Sequence, residues 1–402
     1  MDFALSSDQN LIKDSVDRFV ADNYSQSQRA AIVASEEGFS REHWAQFASL
    51  GWLGIAFPED RGGFGGSAVE TMILAEAFGR GLVLEPFVPS VVLGGSALAC
   101  GGTSQAHHDL LEAMIGGEKL LTFAYAEERS RYDYGLVETE ARAAGGDLLI
   151  TGKKLAVPFA AAADTYVVTV RTGGEKRDPG GISVVLVDRD TPGITRHDYR
   201  TVDDRRASTI TFDGVRVPRA NALGEPGAGL PLVERIVDAG LGALAAEAVG
   251  NASVLLRRTV EYLKTRKQFG VPIGSFQALQ HRAVDMLIQV ELARSITYYG
   301  TMALVEDASP AERMKALSAT KVQVARSSRV VGESAIQLHG GIGMSEEYAI
   351  GHYFKRLSMI ELELGDVDFH LTRYLAQSPA SSANVTPSEN GIFEPEAGAV
   401  AF

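Results

Sequence analysis

The stretch S-T-I-T-F-D-G-V-R-V-P-R-A-N-A-L-G-E-P-G-A-G, residues 208–229, changes its period as it runs. Its first half is rich in β-branched residues, as half-buried strands are, and proline and glycine then break the run. From residue 230 apolar residues recur at helical spacing for about 150 residues. A strand-rich segment therefore hands over to a long helical one at this point. Upstream, T-Y-V-V-T-V (165–170) and I-S-V-V-L-V (182–187), separated by R-T-G-G-E-K-R-D-P-G-G, predict a small all-β domain over 118–228. Before it, Ser6 with Gln9 and Ser67 with Glu70 have capping-box spacing, and Ile12, Val16, Phe19 and Val20 follow at helical intervals. Residues 1–117 are thus expected to be helical, with F-P-E-D-R-G-G-F-G-G (57–66) as a loop and Gly116-Gly117 as the close. Downstream, helices are expected over 230–265, from a Ser275 cap to about 305, from Ser309-Pro310 to Gly340-Gly341, and on to about 377. Long antiparallel helices of this kind pack as a four-helix bundle, here 229–377. The small, polar, proline-spaced end, 378–402, reads as a flexible tail.

The 402 residues are 45% hydrophobic and 22% charged, enough to bury two or three domain cores. A net charge of -13 leaves no surface-wide positive field for nucleic acid or anionic lipid. No apolar run is expected to span a bilayer. Cys100 is the single cysteine, so intrachain disulfides and cysteine clusters are excluded, and it reads as a small buried hydrophobe. With acids early and no basic-then-apolar order at the N-terminus, the expectation is a soluble, cytoplasmic protein.

Two stretches could carry chemistry. Y-L-K-T-R-K-Q-F-G-V-P-I-G-S-F-Q (262–277) sets Arg266 and Lys267 at a helix C-terminus, then a Phe269-Gly270 turn. The cations either complement the helix dipole or, through the planar fork of Arg266, hold a pyrophosphate while Phe269 packs on a flat ring. A-I-Q-L-H-G-G-I-G-M-S-E-E-Y-A-I (335–350) carries three glycines in four residues, which let a backbone approach a ligand. A helix stop explains one of them; His339 reads as a ligand or, more commonly, a capping or core histidine. Nothing has metal-ligand spacing. M-I-E-L-E-L-G-D (359–366) sets Glu361, Glu363 and Asp366 among apolar neighbours, either solvated or kept for chemistry.

Together, F-P-E-D-R-G-G-F-G-G, F-D-G-V-R-V-P-R-A-N-A-L-G-E-P-G-A-G, R-K-Q-F-G and Q-L-H-G-G-I-G, in this order over nearly the whole chain, resemble the acyl-CoA dehydrogenase family. The resemblance implies an N-terminal helical domain, a middle β-barrel and a C-terminal four-helix bundle. It implies FAD as cofactor, an acyl-CoA thioester as substrate, a carboxylate that removes the α-proton, and hydride transfer from the β-carbon to the flavin. By motif match Arg266, Phe269 and Gln277, with Gln337, His339, Gly340 and Gly341, would contact FAD, and in the family these groups reach the FAD of a neighbouring subunit. An electron-transfer flavoprotein is the implied acceptor.

The chain departs from the family in three places. The flavin cradle that usually reads like T-E-P-x-A-G-S-D is Ala126–Asp133, A-E-E-R-S-R-Y-D. In the K-x-W-I-T stretch the tryptophan and threonine positions are Ala156 and Pro158. The base is also missing: the position before the glycine of the last connection is Leu364, and the alternative on the first bundle helix is Gly240, followed by Leu241 where an arginine is common. Glu247 is the remaining acid on that helix, either a base with a pKa raised by burial or a paired structural carboxylate. Asp366 is expected to line a pocket. These departures resemble the small, β-type subunit of heteromeric members, such as the pimeloyl-CoA and steroid side-chain dehydrogenases, in an α2β2 complex with a homologous subunit. The alternatives are a homomeric enzyme with Glu247 as base, and a non-catalytic scaffold.

Overall fold

In the computed structural model, residues 4–306 and 308–377 are described; the expected tail at 378–402 lies outside the described residues. The first domain holds α1 (Ser7–Asn23), α2 (Gln26–Ala34), α3 (Arg41–Ser49), α4 (Ala68–Gly81), α5 (Ser96–Gly101) and α6 (Gln105–Ile115). Capping boxes form at Ser6 and Ser67, and a third, Ser25 with Gln28, starts α2. Phe19, Trp44, Phe47, Trp52 and Phe78 fill its core, Phe47 and Phe78 stacking at 5.0 Å. Cys100, expected to be buried, is exposed on α5, because its neighbours Ala97 and Leu98 take the inward positions of that short helix.

Eight strands follow: β1 (Leu121–Ala124), β2 (Glu140–Ala144), β3 (Asp147–Pro158), β4 (Thr165–Arg171), β5 (Ile182–Asp188), β6 (Ile194–Arg200), β7 (Arg206–Pro218) and β8 (Ala222–Leu223). They lie in the order β6-β7-β3-β2-β4-β5-β8, with β1 parallel to β4. The expected barrel is therefore an open, mostly antiparallel sheet: β8 is only two residues long and leaves the mostly exposed edge strand β6 unpartnered on its outer side. All seven residues of β4 are buried, as in a strand covered on both faces. The two-residue strand period divides its side chains, Val167 joining the main core and Val168 and Val170 a second core across the sheet.

The third domain is built on α7 (Leu230–Thr265), then a small hairpin of β9 (Lys267–Gln268) and β10 (Val271–Pro272), α8 (Gln277–Val305), α9 (Pro310–His339), α10 (Ala349–Leu362) and α11 (Val367–Ala376). The expected Ser275 cap is not made; Ser275 bonds back to the Pro272 carbonyl, and Phe276 stands at the N-cap of α8 without a side-chain bond. Against expectation, α7 is long and apolar enough to cross a membrane, yet 83% of that window is buried inside the fold, as in the core helix of a large domain. Glycines let α4 and α7 touch along their backbones: a Cβ on Gly79 would lie 2.0 Å from the Glu247 carbonyl oxygen, and one on Gly250 2.0 Å from that of Glu76. This approach fixes Glu247 against the first domain. On the outside of α8, Val284, Leu287, Ile288, Leu292 and Tyr299 form an apolar face 46–55% exposed.

Candidate functional site

The two glycine-bearing motifs meet at one end of the bundle. The Tyr262 ring, near the end of α7, stacks on the His339 ring at the end of α9, with centroids 4.4 Å apart, and its hydroxyl donates to the His339 carbonyl at 3.4 Å. Beyond Tyr262, the register of β9 and β10 leaves Phe269-Gly270 as a two-residue turn with φ of +52° and +81°. Such a turn needs left-handed residues, which glycine tolerates and phenylalanine does not. Phe269 is nonetheless 93% exposed, so packing within the chain does not account for it. Arg266 and Gln277 flank the turn, also exposed, as are Gln337, Gly340 and Gly341 on the neighbouring helix end.

His339 is the exception, buried at 3% exposure. Its Nδ1 donates to the Ala335 carbonyl at 2.8 Å, while Nε2 is buried without a hydrogen-bond partner among the described residues. Burial pushes the imidazole pKa down against that bond, favouring a neutral ring with an unused Nε2 lone pair. Gly340 sits at φ +62° and ψ -143°, a backbone that excludes other residues, yet a Cβ on Gly340 or Gly341 would meet nothing within 4 Å. Gly343, by contrast, is required by the helix end, since its Cβ would lie 3.0 Å from the Ile336 carbonyl. An open glycine pair beside an unsatisfied buried nitrogen and an exposed arginine fits an anionic, ring-bearing group brought from outside the chain, such as FAD.

The chain's own interior, between sheet and bundle, is different. The two positions where a base would be sought converge: a Cβ on Gly240 would lie 2.6 Å from the Leu364 side chain and 2.5 Å from that of Leu93. Leu364 is buried, in the left-handed region at φ +56°, and its carbonyl accepts from Tyr134 Oη at 2.6 Å and His370 Nε2 at 2.8 Å. The turn is pinned as a catalytic turn would be, but it presents an alkyl group. The segment aligned to the flavin cradle folds inward: Glu127 accepts from the backbone N–H of Glu138 and Thr139 and pairs with Lys154 at 2.6 Å. Tyr134 and Tyr132 turn onto Phe369 of α11, at 5.3 and 6.0 Å. Ala156 stands at φ +49°, and Pro158, with no hydroxyl, offers only a carbonyl, taken by Thr122 at 2.6 Å.

Glu247 is not a carboxylate with room to move. Arg356 grips it from Nε at 2.7 Å and Nη2 at 2.9 Å, and Arg205 adds a bond at 2.7 Å. Arg356 also reaches Asp203 at 2.9 Å and Glu363 at 2.5 Å, so one buried cluster ties the sheet to the bundle beside α4. The expected rise in pKa is reversed: burial does push it up, but the charges of Arg205 and Arg356 outweigh it and hold the carboxyl below its usual range. Sequence spacing missed this cluster because the arginines that hold Glu247 lie 42 and 109 residues from it. Asp366, expected to line a pocket, instead spends one carboxylate oxygen capping α11, accepting from the Phe369 N–H at 2.9 Å. Glu361 pairs with Arg329 at the surface, so none of the three acids of 359–366 is left for chemistry.

Comparison with known proteins accounts for this frame. The chain matches the models for the acyl-CoA dehydrogenase N-terminal domain over residues 6–118, the middle domain over 122–215 and the C-terminal domain over 227–376. It is 31% identical over 370 residues to the probable acyl-CoA dehydrogenase YngJ of Bacillus subtilis, covering 91% of this chain and 96% of that one. Among solved structures it is similar to a variant of the steroid ACAD Tcur3481-Tcur3483, with TM-score 0.83, 29% identity, and 92% and 97% of the two chains covered. The ChsE4-ChsE5 complex of Mycobacterium tuberculosis gives TM-score 0.85 at 26% identity, covering 94% and 100%. The chain belongs to the acyl-CoA dehydrogenase family, FAD-dependent oxidoreductases that act on the CH–CH bond of acyl-CoA thioesters.

Proposed function

We propose that this chain is the β-type subunit of a heteromeric, α2β2 acyl-CoA dehydrogenase of the cytoplasm, completing the flavin site of a homologous partner rather than running dehydrogenation from its own cleft. The observation that carries the reading is Leu364, packed against Gly240: both places for a base meet in one apolar contact. The exposed turn at Phe269 and the open Gly340-Gly341 pair support it from the other side, as groups with no use inside the chain. The apolar outer face of α8 is a surface that a homologous bundle would cover. The likeness to the ChsE4-ChsE5 complex is in keeping with a two-chain assembly, and that to a steroid ACAD with a bulky acyl group on the CoA thioester.

FAD, when bound, supplies the hydride acceptor. Arg266 would offer its guanidinium fork to the pyrophosphate, Phe269 an apolar ring face, Gln277 and Gln337 their amides, Gly340 and Gly341 their backbone N–H groups, and His339 Nε2 an acceptor. Abstraction of the α-proton falls to a carboxylate of the partner, and an electron-transfer flavoprotein takes the electrons. The test is expression of the chain alone and with a homologous chain, followed by flavin absorption and reduction by acyl-CoA substrates. We expect a colourless, inactive chain that gains both properties with its partner; a yellow, active homo-oligomer would overturn the reading.

A further inference from the structure

Where the three domains meet, a cavity of about 350 Å³ opens between α2, the β6–β7 connection, α7 and the start of α10, lined by neither Leu364 nor Phe269. Arg29, Arg200, Arg258 and His352 line it, with Tyr24 and Tyr353 as ring walls. Its two acids are already engaged. Asp204 receives Arg200, Arg29 at 3.3 Å and faces His352 Nδ1 at 3.5 Å; Glu346 pairs with Lys355 at 2.6 Å. Burial raises the Asp204 pKa, but the nearby His352, the hydrogen bond from Arg200 and the charge of Arg29 hold it well below the usual range, so it stays ionised and committed to those groups.

Arg258 is the group left over. It is half-buried on α7, its charge felt by His339 and Tyr353, and it has no hydrogen bond or ion pair among the described residues. The start of α10 reaches the same space: Ala349 lines the cavity, and this 14-residue helix has Tyr348 at its N-cap, so no side chain caps its first-turn N–H groups or the positive end of its dipole. A planar fork of donors and an open helix start in one walled space are the elements that recognise a tetrahedral oxyanion.

We propose that this cavity binds a phosphate group, with Arg258 as its anchor and the amino end of α10 as the second contact. The volume exceeds that of a bare phosphate and falls at the low end of the range for small-molecule pockets, so the occupant fits as a phosphate ester of a small organic group between the two tyrosines. The proposal does not depend on the assembly proposed above. It is tested on the full-length chain by thermal shift and isothermal titration with inorganic phosphate at constant ionic strength, chloride as the control salt. A parallel series uses adenosine 5′-phosphate. We expect a saturable rise in melting temperature with phosphate, its apparent affinity weakened about tenfold or more in Arg258→Gln and partly restored in Arg258→Lys, which keeps the charge and loses the fork. Arg142→Gln, on the exposed face of β2, should leave the response unchanged. A tighter response to the ester than to inorganic phosphate assigns the cavity to organic phosphates; equal responses assign it to the free ion. No saturable response beyond chloride, or an equal response in Arg258→Gln, overturns the proposal. Should Arg258→Gln fail to fold, the same comparison is made with Arg258→Lys by titration, where affinity equal to wild type is the overturning result.

Discussion

Replacing Glu247 by glutamine separates the two roles an acid can have in this fold. The substitution keeps the volume and one acceptor oxygen but removes the charge that faces Arg356, 2% exposed, and Arg205. Removing one partner of a buried pair costs about 3–5 kcal/mol, and since the amide oxygen still accepts one bond and Asp203 and Glu363 still neutralise Arg356, the low end, about 3 kcal/mol, applies. At about 2–4 °C per kcal/mol for domains of this size, the melting temperature falls by about 6–12 °C. The charge effect has a pH signature. The folded-state pKa of Glu247 is depressed, so its stabilisation is present above the unfolded value of about 4.3 and is lost as pH falls through the lower folded value. Glu247→Gln should therefore narrow its deficit relative to wild type in acid. The assay is scanning calorimetry of the purified chain, paired with reduction of flavin by substrate in the proposed complex with a homologous partner. Flavin reduction per folded complex should stay within about twofold of wild type, because this carboxylate is already held by Arg356 and Arg205. A wild-type melting temperature together with abolished reduction would refute the reasoning and restore Glu247 as the base.

Phe269→Gly removes an exposed ring from a left-handed position, so stability should change by no more than about 0.5–1 kcal/mol, the relief of φ strain offsetting added chain entropy, while flavin release from the complex speeds about tenfold; unchanged flavin retention would count against the bundle-end site. His370 is fully buried, donates from Nε2 to the Leu364 carbonyl, and burial, with the charge of Lys321 nearby, depresses its pKa to about 3. Its neutral form is the folded one, so stability is complete above the unfolded value of about 6.5 and falls by about 1.4 kcal/mol per pH unit from there toward about 3. Thermal scans between pH 7.5 and 5 should show that slope in wild type and a shallower one in His370→Gln; equal slopes would dismiss it.

The chain's own pattern carried the domain plan a long way. The β-branched runs such as 165–170 and the long 3.6-residue pattern after Gly229 are local signals, because a buried strand and a helix with one buried face impose them whatever the partner is. The same holds for the capping spacings at Ser6, Ser67 and Ser309, each satisfied by backbone atoms within one turn. Closure of the sheet was not legible, since it depends on the length of β8 and the pairing of β6. Nor was the exposure of Cys100, which turns on the direction in which one short helix faces.

The site divides in the same way. That Leu364 and Gly240 carry no acid, and that R-K-Q-F-G and Q-L-H-G-G are intact, is written in the sequence, because it concerns which side chains exist. That Leu364 and Gly240 are one place and not two, that Tyr262 and His339 bring the two motifs to one end, and that two arginines from distant segments disarm Glu247 are matters of proximity. An acid between alanines looks free in a linear chain, and its pKa is set by whatever charge the fold brings within about 4 Å of it, which no local pattern encodes.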